Sequence, residues 1–130
     1  MATRKAAAQA PPVLPFDLRA FLDSAGIART VRKFARSTGV FAQGDLANDV
    51  FYLQEGSVKL SVLSKTGKEA VVAIFGPGDF FGEGCLAGQP RRMATASALT
   101  ASTLLVVERP QMLEMLHKEP SLADRFLSHM

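Results

Sequence analysis

The spacing of apolar and polar residues divides the chain into a β-rich centre and two helical ends. Residues 57–62 alternate polar and apolar side chains, and this period of two predicts a half-buried strand. Further short β-rich runs cover 50–53, 69–75, 95–98 and 104–107, and glycine-containing turn signals separate them. Short strands that recur about every ten residues favour an antiparallel sandwich or barrel over alternating βαβ units.

Helical periodicity flanks the β-rich centre on both sides. A short helix is predicted over 17–24, and two more are predicted to begin near Pro110 and Pro120, because proline is tolerated in the first helical turn. The last of these carries an apolar stripe that continues to the final residue. The stripe consists of Leu122, Phe126 and Met130. We interpret it as a dimer interface in preference to intrachain core.

Composition limits the chain to one globular domain. Its 130 residues, 48% of them apolar and 21% charged, suffice for a single core. Residues 1–15 combine alanines and prolines without apolar periodicity, which predicts a flexible arm ahead of a folded domain over 16–130. No apolar run approaches the ~20 residues of a membrane span, and no secretory signal pattern occurs, so we expect a cytoplasmic protein.

The ionisable and sulfur-containing residues exclude several kinds of chemistry. The single cysteine, Cys85, cannot form an intrachain disulfide or hold a metal cluster. The two histidines, His117 and His129, lie outside the β-rich centre and have no companion at ligand spacing, so we expect no metal. The net charge of +3 permits an anionic ligand but does not indicate nucleic acid.

The segment best suited to ligand chemistry is 80–95, with the sequence FFGEGCLAGQPRRMAT. Its glycines allow backbone N–H groups to approach an anion, and a short helix from Glu83 would direct its positive end toward that anion. An arginine nine residues after Glu83 can fold back to pair with the same anion. A carboxylate fits an anion site only where it accepts hydrogen bonds from ligand hydroxyls, so the combination indicates a sugar phosphate.

This segment resembles the phosphate-binding cassette of cyclic-nucleotide-binding domains. Three more segments look like the family's other signature blocks: 40–45 (VFAQGD), 51–58 (FYLQEGSV) and 75–83 (FGPGDFFGE). The resemblance is closest to the sensor half of bacterial transcription regulators of the Crp–Fnr family. It implies an antiparallel jelly-roll β-roll (a double-stranded β-helix) with short flanking helices, and a homodimer formed through the C-terminal helix. Because no helix-turn-helix pattern occurs here, we expect DNA binding only through a further domain.

The resemblance also implies a set of ligand-binding residues. These are Gly82, Glu83, Gly84, Cys85, Arg92, Met93 and Thr95. Glu83 would accept the ribose 2′-hydroxyl, and Arg92 would pair with the cyclic phosphate. Arg92 is preferred to Arg91 because it stands three residues before Thr95, as in the family's arginine–x–x–threonine ending.

The remaining matched residues would act mainly through the backbone. The amides of Gly84, Cys85 and Met93 would donate to the phosphate oxygens, and Gly82 would leave space for the sugar. The implied ligand is a cyclic nucleotide, with cAMP as the first candidate. The resemblance implies no catalytic residue and no cofactor.

Several alternatives stay open at this point. Gly84 and Met93 depart from the residues usual in the cassette, so a β-roll that binds no nucleotide and serves as a dimerisation or interaction module is the second hypothesis. A cupin-type metalloenzyme is disfavoured by the positions of the histidines. Residues 82–87 also fit the dinucleotide fingerprint, which would need a βαβ unit.

Individual residues have alternatives as well. Glu83 and Arg92 could form a simple surface ion pair, although the glycine-spaced cassette favours ligand contact. We interpret Cys85 as a small buried hydrophobe rather than a redox-sensitive thiol at a helix start.

Overall fold

The computed structural model describes residues 28–118, which form eight strands, one 3₁₀ helix and one α-helix. The strands are β1 (Thr30–Phe34), β2 (Gly39–Phe41), β3 (Asp49–Glu55), β4 (Val58–Leu63), β5 (Glu69–Phe75), β6 (Phe80–Phe81), β7 (Thr95–Ala98) and β8 (Ser102–Glu108). The 3₁₀ helix covers Glu83–Ala87, and the α-helix, α1, covers Arg109–Lys118.

The strands form two four-stranded sheets, in the orders β1-β8-β3-β6 and β2-β7-β4-β5. Every strand pair in the described residues is antiparallel. The long β3–β8 pair joins distant parts of the chain and places Phe51 opposite Val106. This arrangement confirms the predicted antiparallel β-roll. It also removes the dinucleotide-binding alternative, because that site requires a parallel βαβ unit.

Strand β8 of the first sheet is buried on both faces. Leu104 and Val106 of β8 belong to the core between the two sheets, whereas Leu105 and Val107 belong to a second core on the opposite face. Successive side chains of a strand point to opposite faces, so a strand covered on both sides is apolar at every position. This explains the continuous apolar run at 104–107.

The second core is covered by α1 and the 3₁₀ helix. Met112 and Met115 of α1 are buried there together with Cys85 of the 3₁₀ helix, and Leu116 packs against the same cluster. Pro110 lies in the first turn of α1, as predicted. The two helices are therefore neighbours on one face of the β-roll.

The sequence predictions agree with five of the strands. The predicted 69–75 and 95–98 coincide with β5 and β7, and the other three lie within the longer β3, β4 and β8 apart from residue 57. The strands β1, β2 and β6 were not predicted. The predicted arm over 1–15, the helix over 17–24 and the helix after Pro120 lie outside the described residues. No helix within 28–118 is long and apolar enough to cross a membrane.

Candidate functional site

A cavity of about 140 Å³ lies beside the 3₁₀ helix. Six of the seven predicted site residues line it, namely Gly82, Glu83, Gly84, Cys85, Arg92 and Met93. Phe41, Leu60 and Ala94 add an apolar wall. Thr95 does not line the cavity; its hydroxyl accepts a hydrogen bond from the backbone N–H of Gln43 at 2.9 Å. The structure therefore brings the cassette together around one concave site.

Arg92 lies at the base of this cavity with only 7% of its surface exposed. Its Nη1 donates to the carbonyl oxygen of Gly82 at 2.9 Å, and its Nη2 donates to that of Asp49 at 2.8 Å. The guanidinium carbon is 4.3 Å from the centroid of the Phe41 ring and 5.4 Å from that of Phe51. Its Nε is buried and has no hydrogen-bond partner among the described residues. Backbone acceptors and aromatic rings thus fix the side chain.

Arg92 is charged although it is buried. Burial lowers the pKa of the Arg92 guanidinium, and the nearby carboxylates of Asp49, Asp45 and Glu83 oppose this shift. Arginine remains protonated in proteins, so the cavity has a positive charge at its base. Within the described residues, Glu83 forms no ion pair with Arg92 inside 4.0 Å. The Glu83 carboxylate and the Arg92 guanidinium therefore line one cavity without forming an ion pair, so they are not a simple surface pair.

Gly82 gives Arg92 the space it occupies. Gly82 has a left-handed φ of 77° and directly precedes the 3₁₀ helix. A Cβ atom built there would lie 2.9 Å from Nη1 of Arg92 and 2.9 Å from Cδ2 of Phe51. Because these atoms belong to a buried guanidinium and a core ring, a side chain at this position would displace the arginine. Arg92 therefore requires a glycine at this position, and the role of Gly82 in leaving space for the sugar stays a prediction.

Cys85 is buried and shares its acceptors with Arg92. Its thiol lies 3.6 Å from the carbonyl oxygen of Asp49 and 3.5 Å from that of Gly82. Burial raises the pKa of the thiol, although Arg92 and Arg109 act in the opposite direction. This confirms the interpretation as a buried residue and contradicts a low-pKa redox thiol.

Two groups at the mouth of the cavity are accessible. Met93 is 66% exposed, and Arg91 is an exposed residue that donates from Nη1 to the carbonyl oxygen of Gly44 at 2.9 Å. Arg91 therefore contributes a second positive charge, at the rim rather than the base. This arrangement agrees with the sequence-based choice of Arg92 as the inner arginine of the cassette.

Sequence reasoning missed two participants in the site. Asp49 lies 43 residues before Arg92 and contributes its backbone carbonyl, so its side-chain type carried no signal. Arg109 donates from Nε to the carbonyl oxygen of Cys85 at 2.9 Å, and nothing in the helical pattern indicated this bond. Phe41, by contrast, lies in the segment 40–45 that the resemblance had marked. Over residues 28–118, no group of three or more metal-ligating side chains is present.

Comparison with known proteins decides the family. The family model described as the cyclic nucleotide-binding domain matches residues 31–119, which is more than half of the chain. The chain belongs to the cyclic nucleotide-binding domain family. The matched range includes both sheets, the cassette and all of α1, so the family assignment covers the whole described site.

Relatives of this cyclic nucleotide-binding domain include CRP-like transcription regulators. The cyclic AMP receptor protein of Thermus thermophilus is 32% identical over 92 residues, which cover 71% of this chain and 43% of that protein. The HTH-type transcriptional regulator Cmr of Mycobacterium tuberculosis is 33% identical over 108 residues, which cover 82% of this chain and 44% of that protein. The chain therefore spans less than half of the length of either relative.

A solved structure shows the same β-roll. The crystal structure of the Thermus thermophilus catabolite activator protein matches with a TM-score of 0.73 at 28% identity, covering 85% of this chain and 51% of that chain. Fold and sequence comparisons thus agree on the cyclic nucleotide-binding domain of CRP-like transcription regulators.

Proposed function

We propose that this domain binds a cyclic nucleotide, with cAMP as the first candidate, and acts as a regulatory sensor rather than an enzyme. The observation that carries the proposal is the position of Glu83 and Arg92 on one cavity in a cyclic nucleotide-binding fold. Nη1 and Nη2 of Arg92 each donate one N–H to a protein carbonyl and Nε is buried, so the second N–H on each Nη is the group that remains for a ligand phosphate. The names of the relatives, which include a cyclic AMP receptor protein, support the choice of cAMP.

Each part of the site has a role in this proposal. Arg92 pairs with the cyclic phosphate from the base of the cavity, and the amides of Gly84, Cys85 and Met93 donate to its oxygens. Glu83 accepts the ribose 2′-hydroxyl, which explains a carboxylate beside an anion site. Thr95 acts indirectly, by holding the backbone of Gln43 next to the cassette.

The size of the cavity determines how the base is accommodated. Pockets for small molecules generally enclose about 300–1,000 Å³, whereas this cavity encloses about 140 Å³. The phosphate and sugar therefore occupy the enclosed part, and the base extends toward the mouth, where Met93 is exposed and Leu60 is apolar. A flexible thioether can pack against a base face.

The sensor role follows from the regulators to which the domain is related. A ligand changes the state of a protein only by binding one arrangement more tightly than another. We propose that the arrangements differ in the C-terminal helical region, that the domain is a homodimer through that region, and that DNA is contacted by a further domain.

One observation favours the second hypothesis, a β-roll that functions as an interaction module without nucleotide. Arg92 is already bonded to two carbonyls and stacked on Phe41, so the protein itself supplies a structural reason for the arginine. The test must therefore measure ligand binding directly.

Calorimetric titration of the protein with cAMP and with cGMP tests the proposal. We expect saturable binding of at least one nucleotide. Arg92→Ala should weaken it by about 30- to 150-fold, the value of a charge-assisted hydrogen bond of about 2–3 kcal/mol. The matched control is Arg36→Ala, which removes one arginine from an exposed position between β1 and β2 and should bind like the wild type.

A second variant covers the case in which Arg92→Ala is too unstable to titrate. Glu83→Gln keeps the shape of a half-buried side chain and should weaken binding by about tenfold through loss of a charged acceptor. At a ligand concentration of about 100 times the dissociation constant, the wild type should gain about 2.7 kcal/mol of stability. If neither cAMP nor cGMP produces binding heat or a thermal shift, the second hypothesis, an interaction module without nucleotide, is favoured.

A further inference from the structure

Arg109 connects α1 to the segment that forms the cavity. It is the first residue of α1, and its backbone N–H donates to the carbonyl oxygen of Asn48 at 2.8 Å. Its side-chain Nε donates to the carbonyl oxygen of Cys85 at 2.9 Å. One residue thus ties the start of α1 both to the chain just before β3 and to the 3₁₀ helix.

The residue that Arg109 holds is itself in contact with the base of the cavity. The thiol of Cys85 lies against the carbonyl oxygens of Gly82 and Asp49, and Arg92 donates to the same two oxygens. A continuous series of polar contacts therefore runs from Arg92 through Cys85 to Arg109. The series joins the ligand side of the cassette to the first residue of the helix.

The 3₁₀ helix depends on such external contacts for its orientation. It is only five residues long, and glycines in the left-handed conformation, Gly82 and Gly88, flank it on both sides. A short 3₁₀ segment has few internal hydrogen bonds, and glycine hinges resist rotation poorly. A charged donor such as Arg109 forms a stronger hydrogen bond to a carbonyl than a neutral donor does.

We propose that Arg109 is a positioning residue of the nucleotide site, which holds the 3₁₀ helix in its binding orientation and makes that orientation depend on the placement of α1. The proposal rests on the proposed function, since it takes a cyclic nucleotide as the ligand. Coupling between sites is reciprocal. A nucleotide that fixes the 3₁₀ helix therefore also fixes the start of α1, and a displaced α1 weakens nucleotide binding.

The test compares Arg109→Met, which keeps the length of the side chain without its donors, with Arg109→Lys, which keeps a cationic donor. Lys118→Met is the control, because it removes a positive charge from the other end of α1, where Lys118 is exposed and pairs only with Glu114 in the described residues. The full 130-residue chain is used throughout. Calorimetry with cAMP measures affinity, and amide hydrogen exchange of 84–87 and of α1 is followed with and without cAMP.

We expect Arg109→Met to bind cAMP about tenfold more weakly, which corresponds to about 1.4 kcal/mol. Its α1 amides should lose the change in exchange that cAMP produces in the wild type. Arg109→Lys should recover part of both effects, and Lys118→Met should match the wild type. Equal affinity and equal exchange responses in the wild type and Arg109→Met would overturn the proposal. If Arg109→Met does not fold, Arg109→Lys carries the test by the same two readouts.

Failure of the proposed function gives a different pattern. If the wild type binds neither cAMP nor cGMP, exchange without nucleotide still tests the role of Arg109. Amides 84–87 should then exchange faster in Arg109→Met than in the wild type and in Lys118→Met. Identical exchange of these amides in all three proteins would refute the positioning role, whatever the ligand.

Discussion

Arg92 and Cys85 share the carbonyl oxygens of Gly82 and Asp49 at the centre of the site. A carbonyl oxygen can accept two hydrogen bonds, so a strong guanidinium donor and a weak thiol donor can meet at the same atom. The guanidinium supplies most of the stabilisation, because hydrogen bonds from charged donors are worth about 1.5–3 kcal/mol. The thiol completes the packing and remains neutral there.

The pH dependence of stability provides a test of Cys85. Burial raises the pKa of its thiol above the ordinary value of about 8.5. The native state therefore favours the neutral thiol, so its contribution to stability is fully present below the ordinary pKa and is lost as pH rises through the folded-state pKa. We expect the free energy of unfolding to fall more steeply above about pH 8.5 in the wild type than in Cys85→Ala.

Urea unfolding at neutral and alkaline pH measures this difference. Other groups that titrate at alkaline pH are common to both proteins, so the comparison isolates the thiol. Parallel pH profiles for the two proteins would show that Cys85 does not resist ionisation in the native state.

At the scale of elements, Gly82, which directly precedes the 3₁₀ helix, is in contact with the Arg92 side chain. Gly82 and Gly67, the latter in the turn between β4 and β5, both have a left-handed φ, of 77° and 85°. An added Cβ meets Arg92 and Phe51 at Gly82 but nothing within 4 Å at Gly67. Substitutions at the two glycines therefore distinguish the cost of a left-handed backbone conformation from the cost of displacing Arg92.

Paired alanine substitutions use this contrast. Gly67→Ala should cost about 1 kcal/mol from the left-handed backbone alone. Gly82→Ala should cost about 1–3 kcal/mol more, the usual cost of overpacking, and should also weaken nucleotide binding. Chemical denaturation and cAMP titration of both variants measure these effects. Equal destabilisation by the two substitutions would mean that Gly82 is required for its φ alone.

Sequence patterns were sufficient for the central strands and insufficient for the peripheral ones. The apolar run at 104–107 comes from a strand buried on both faces, so burial leaves a clear pattern. The alternation at 57–62 predicted β4 correctly, although a register shift between Leu60 and Ser61 leaves the polar Ser61 buried. Four of the five residues of β1 are exposed, and β6 has two residues, so neither leaves a period that could be read.

The site was also predictable only in part: the residues contiguous in sequence could be identified, and the contacts made by tertiary packing could not. Local spacing indicated Gly82, Glu83 and Arg92, because the cassette is contiguous in sequence. The acceptor provided by Asp49 and the donor provided by Arg109 depend on tertiary packing and on backbone atoms, which residue types do not encode. Thr95 matched the family pattern, yet it does not line the cavity, and its hydroxyl accepts a hydrogen bond from the backbone N–H of Gln43.

At the scale of the whole molecule, a second core on the outer face of β3 and β8 brings the cassette and α1 together. The 3₁₀ helix and α1 share the core on the face away from the second sheet. The cassette is therefore adjacent to the helix that leads toward the C-terminal residues. In the sequence, the apolar stripe that includes Phe126 follows this helix, which fits the proposed signal from the pocket to the proposed dimer interface.

A charge within that stripe should dissociate the proposed dimer. We expect Phe126→Glu to raise the dimer dissociation constant at least tenfold, because burying an unpaired carboxylate in an apolar interface is costly. Lys118→Glu introduces the same side chain at an exposed position of α1 and should leave the dimer intact, since an exposed ion pair contributes little. Light scattering over a range of concentrations measures the mass. A monomeric wild type would contradict the predicted interface.

The anchoring of Arg92 to two main-chain oxygens affects how domains of this type diverge. Selection for a folded chain alone would favour this arginine, because its loss leaves two buried carbonyl oxygens with only the weak thiol donor of Cys85. Glu83 forms no comparable side-chain bond within residues 28–118, so folding alone makes no such demand on its carboxylate. Among domains of this fold, we expect loss of the acidic residue, rather than loss of the arginine, to mark those that no longer bind a cyclic nucleotide.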